Sequence, residues 1–195
     1  MRTFPLTSSQ TVGPFFAPAL LREDALRNVL TEPETLGERI RIAGRVLDGD
    51  GVPVPDALVE IWQANAHGRY NHPADTGSAA LDPSFLGYGR SGTDEDGNYW
   101  FETVKPGAVP FDAAGQRLQA PHIGVTVFAR GLLNHLVTRL YFEDEPASTD
   151  DPVLQRVPAD RRATLLAKRE SGEAMVIYRF DIVLQGAGET AFFNL

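Results

Sequence analysis

No cysteine occurs in the 195 residues, so neither a disulfide framework nor a thiolate metal site can form. Basic residues are scarce. Lys and Arg total 18 against 26 Asp and Glu, a formal net charge of -8. That balance excludes a nucleic-acid binder, which needs basic patches, but leaves room for one or two Arg residues to hold a small anion. No apolar run approaches the roughly 20 residues that span a bilayer. The first residues, MRTFPLTSSQTVGPFF, lack a continuous apolar stretch and are broken by Pro5 and Pro14, unlike a secretory leader. A soluble cytoplasmic protein without membrane association is expected. There is no internal repeat and no low-complexity segment.

What is present suits short strands joined by turns: Gly 18, Pro 14 and 43% hydrophobic residues. Alternation marks strands at Ile40–Val46, Ala57–Gln63, Asn98–Val104, His122–Arg130, Leu136–Phe142 and Met175–Leu184. Ile123, Val125, Val127 and Ala129 form one buried face. Residues 73–97 read as a long loop ending in an Asp94-Glu95-Asp96-Gly97 hairpin turn, and 112–120 as a loop or hairpin tip. Pro158 to Arg169, stopped by Gly172, reads as a helix, and residues 18–30 as a weak one. The expected fold is all-β: a β-sandwich with long loops and one or two short helices, in a single domain over residues 1–195. Residues 1–37 would be an arm and linker packing on the core or on a partner.

The stretch from Ile40 to His72 carries the most information. Strand, Pro-rich turn, strand and polar loop follow one another as Gly44-Arg45-Val46, then Pro53 and Pro55, then Val59-Glu60-Ile61-Trp62-Gln63-Ala64-Asn65, then Gly68-Arg69-Tyr70. This spacing resembles the signature of the intradiol ring-cleavage dioxygenases, non-haem ferric enzymes that open catechol rings between the hydroxylated carbons. The resemblance implies a sandwich core and ferric iron held by two Tyr and two His. That donor set suits a hard, highly charged ion. The two His come as His-x-His on one strand, where a period of two puts both on one face.

Only half of that set is present. Tyr70 matches the first tyrosine and His122 the first histidine. The second tyrosine position, in Lys105-Pro106-Gly107-Ala108-Val109-Pro110-Phe111, is Val109, and the second histidine position is Gly124. The family's catalytic Arg position falls on Gln119, and its Gln position in the Thr-Gln-Leu-Tyr-Phe run falls on Arg139. Two donors do not make a tight mononuclear ferric site. His67, His72 or Tyr88 could substitute; otherwise Tyr70 and His122 are satisfied by each other or by backbone.

The pattern resembles the iron-free chain of the family's two-chain members, which cleave protocatechuate with O2. There a homologous beta chain holds the iron and an alpha-type chain helps wall the active site, in a higher-order alpha-beta oligomer. The matching lining positions are Thr11, Gly13 and Pro14 in the arm, and Arg130. Arg130 lies eight residues beyond His122, about 26 Å along a straight strand, too far to serve the same site. Two alternatives stand beside this: a stand-alone catechol dioxygenase with unusual ligands, and a sandwich binding module without chemistry.

Overall fold

The computed structural model describes residues 10–13, 15–112, 115–172 and 175–194. Eleven strands dominate: β1 (Arg39–Leu47), β2 (Leu58–Trp62), β3 (Tyr88–Gly92), β4 (Asn98–Val104), β5 (Val109–Pro110), β6 (Leu118–Gln119), β7 (His122–Phe128), β8 (Leu136–Phe142), β9 (Leu166–Ser171), β10 (Val176–Arg179) and β11 (Ile182–Val183). Among the described residues the α-helix is one short piece, α1 (Phe16–Leu20), joined by four short 3-10 turns. The all-β expectation holds.

One half of the sandwich runs β3-β2-β7-β8, all antiparallel. The other runs β4-β1-β10, with β11 continuing along β1. β9 joins the halves. Its Leu166 and Ala167 pair parallel to β8, and Lys168 to Ser171 pair antiparallel to β10. At the opposite margin residues 27–30 bridge the gap. Arg27 pairs with Arg90 of β3, and Val29 with Glu102 of β4. The result is a nearly closed sheet around Ile40, Ile42, Ile61, Phe101, Ile123, Val125, Leu140 and Phe142, all buried. A smaller core of Tyr141, Leu154, Val157 and Leu165 lies beneath the 3-10 turns of residues 146–165.

Three expectations are corrected. Residues 158–169 are not a helix: a 3-10 turn at Arg162–Leu165 runs into β9. Sheet pairing outweighs the weak helical pattern, since Ala167 is fully buried beside β8. Met175–Leu184 is two strands, interrupted at Phe180-Asp181 without loss of register. Ile40 pairs with Val176, and Val46 with Ile182. At the interruption Arg45 N–H donates to the Asp181 carboxylate at 2.9 Å instead of to a carbonyl. Finally, the 73–97 loop contains β3. The turn after it is closed by Gly97 N–H to Asp94 at 2.9 Å, but the flanking strands diverge into opposite halves. β5 and β6 pair antiparallel, Val109 with Gln119 and Pro110 with Leu118, so part of the stretch 112–120 expected as a loop or hairpin tip is strand. No helix among the described residues is long and apolar enough to cross a membrane.

Candidate functional site

Tyr70 is positioned by a knot of backbone bonds around the buried Asn65. The Asn65 side-chain oxygen accepts from His67 N–H (2.9 Å) and Arg69 N–H (3.0 Å), and its carbonyl accepts from Gly107 N–H (2.9 Å). Gly68 has φ +78, and a Cβ there would lie 2.0 Å from the Ala108 carbonyl. Only glycine lets the 65–70 loop press this closely on the 106–109 loop. Tyr70 and Val109 consequently face a common cleft of about 530 Å³, with Trp62, His72 and Gln119 also on its wall. The Tyr70 ring stacks on Trp62 (5.8 Å, 13°), and its N–H donates to Asp75 (2.8 Å). Burial pushes the Tyr70 phenol above its usual pKa, and Arg139 opposes that shift.

The other two ligand positions lie on β7. Gly124 stands in register between Trp62 of β2 and Arg139 of β8. His122 is buried. Its Nδ1 is 2.8 Å from the Ala120 carbonyl, and its ring packs on Tyr141 at 5.8 Å. Burial, with the Arg139 charge adding, lowers its pKa to about 4. No hydrogen bond joins Tyr70 to His122 among the described residues; His122 is satisfied by backbone.

Arg139 donates to the Gln119 side-chain oxygen at 2.7 Å. In the family pattern the Arg belongs at position 119 and the Gln at 139. Here the two identities are exchanged and the pair touches. The exchange puts a permanent positive charge on β8 at the register position opposite Gly124. A guanidinium there, a valine where a phenolate should be and a histidine tied to backbone do not fit a ferric ion. Of the three possible substitutes, His72 shares the Tyr70 cleft. Tyr88 donates to Glu60 (2.8 Å), His67 is exposed, and His72 accepts from Ala74 N–H (3.1 Å). Among the described residues no cluster of three His, Cys, Asp or Glu could hold a metal.

A second constellation lies past the other end of β7 from His122. Arg130, with 69% of its side chain exposed, pairs with Asp56 at 2.9 Å. The next residue, Gly131, donates its N–H to the Thr11 hydroxyl at 2.9 Å. Gly13 accepts from Phe16 N–H (3.0 Å) at the start of α1. Thr11 is thus tied to the residue that follows Arg130; Pro14 lies outside the described residues. Sequence reasoning missed Asp56. Its signal was an Asp after a Pro in a turn, because Asp tolerates the left-handed backbone seen here, φ 56. It also missed Asp151, a buried carboxylate that accepts from Ala120 N–H (2.8 Å), the Tyr141 hydroxyl (2.9 Å) and Leu154 N–H (2.8 Å). Asp151 ties the His122 strand to the smaller core, and nothing in the acidic run around it marks it out.

Residues 11–186 match the Dioxygenase family model. The chain is 44% identical over 206 residues to protocatechuate 3,4-dioxygenase alpha chain of Burkholderia cepacia, with all of both chains covered. It is 41% identical to the beta chain from the same organism, covering 95% of this chain and 78% of that one. A solved relative is the dioxygenase domain of a dioxygenase–carbohydrate-binding fusion protein from Streptomyces sp. SirexAA-E. It is 29% identical at a TM-score of 0.63, covering 83% of this chain and 89% of that one. By signature, fold and relatives together, the chain belongs to the intradiol ring-cleavage dioxygenase family.

Proposed function

We propose that this chain is the alpha subunit of a protocatechuate 3,4-dioxygenase. The enzyme inserts both atoms of O2 into protocatechuate between the hydroxylated carbons, giving 3-carboxy-cis,cis-muconate. Ferric iron is held by a homologous beta chain, and this chain supplies part of the active-site wall. The observation that carries the reading is the degenerate ligand set: Val109 and Gly124 in donor positions, with Arg139 opposite Gly124 in the sheet register. Identity alone does not separate the two chain types, at 44% and 41%.

Within that enzyme the work of this chain is binding. Arg130 is exposed and anchored, suited to hold an anionic group at the neighbouring subunit, and Thr11 fixes the arm against it. A charge-assisted bond to a carboxylate is worth about 1.5–3 kcal/mol, so Arg130→Ala in the alpha-beta pair should raise KM for protocatechuate roughly tenfold to a hundredfold. Iron content should not change. An unaltered KM would remove Arg130 from the site. The reading further assigns the enzyme to cytoplasmic aromatic catabolism, in a higher-order alpha-beta assembly.

A further inference from the structure

Arg139 reaches Gln119 of the Tyr70 cleft with one nitrogen, yet it also lines a separate cavity of about 470 Å³. The charged lining of that cavity is Arg139, Arg156, Arg161 and Glu189. In a chain of net charge -8, three arginines on one cavity are a local reversal.

The three are not equivalent. Arg161 is committed, donating to the Glu189 carboxylate (3.2 Å) and to its backbone carbonyl (3.0 Å). Arg139 meets only neutral partners, Gln119 at 2.7 Å and the Tyr141 hydroxyl at 3.4 Å. The Arg156 guanidinium lies 5.6 Å from the Phe111 ring centroid, which also carries Arg117 at 5.5 Å. Among the described residues no carboxylate comes within ion-pair distance of Arg139 or Arg156. The rest of the wall is apolar: Val157, Pro158, Ala191 and Phe192.

Two guanidiniums without counterions over an apolar floor, in a volume typical of small-molecule sites, select an amphipathic anion. We propose that this cavity binds a small ring carboxylate, with the ring on the Val157–Phe192 floor and the carboxylate on Arg139 and Arg156. The site lies wholly on this chain and does not depend on iron or on a beta partner.

Calorimetric titration of the full chain with benzoate tests it, with benzamide as the neutral isostere and acetate as the ringless anion. One saturable benzoate site per chain is expected, with benzamide and acetate each at least tenfold weaker. Arg156 is exposed, so Arg156→Gln should fold normally and weaken benzoate roughly tenfold to a hundredfold. No saturable binding up to about 10 mM would overturn the proposal. So would benzamide or acetate binding as well as benzoate, or unchanged affinity in Arg156→Gln.

Discussion

A guanidinium and an amide have changed places next to Tyr70. The consequences reach His122, which faces both Arg139 and Asp151 and stays neutral because burial and the Arg139 charge hold its pKa at about 4. In the unfolded chain an imidazole titrates near 6.5. The folded value is depressed, so the contribution of His122 to stability is full above about pH 6.5 and is lost as pH falls toward 4. At about 1.4 kcal/mol per pH unit the loss is on the order of 3 kcal/mol. Urea unfolding at pH 7 and near pH 4 should show it, and His122→Asn should flatten the difference; an identical pH slope in the variant would contradict the assignment. Asp56 offers a second residue-scale test. Its exposed pair with Arg130 adds little stability, under about 1 kcal/mol. In the alpha-beta pair Asp56→Asn should leave the melting temperature nearly unchanged but raise KM roughly twofold to fivefold, with kcat intact. In an Arg130→Ala background it should add nothing. Tyr70, Val109, His122 and Gly124 could be singled out from sequence because each lies within a short continuous motif. The Gln119–Arg139 contact and the Asp56 anchor could not, because each joins residues 20 or more apart through sheet register and side-chain reach.

At the scale of elements, the parallel pairing of β1 with β10 and β11 depends on one close approach. Phe180 bends toward β1 at the interruption, and a Cβ on Gly44 would sit 1.8 Å from its carbonyl oxygen. The clash is with backbone, so β10, β11 or both must move. Gly44→Ala should cost about 3 kcal/mol or more, lowering the melting temperature by roughly 6–12 °C. A change of a degree or less would mean that the strands separate freely there. The strands with strict alternation were readable, since Ile123, Val125 and Val127 all turn inward as the period of two demands. β9 was not. Its exposed Lys168-Arg169-Glu170 run mimics a solvated helix face, and its strand identity comes from partners at 141–142 and 176–179. Charges on such a strand also discourage pairing with other chains.

At the scale of the whole molecule, one sandwich carries a cleft with only half of the family's donor set, and a distant exposed Arg130 past the far end of β7 from His122. Both features fit a chain that works through a partner. The measurement that tests this most directly is iron content and protocatechuate-dependent oxygen uptake, on this chain alone and after co-expression with a homologous beta chain. The account predicts a colourless, inert lone chain, and a pair that binds about one iron per alpha-beta unit and consumes oxygen. Stoichiometric iron and ring cleavage by the lone chain would contradict it.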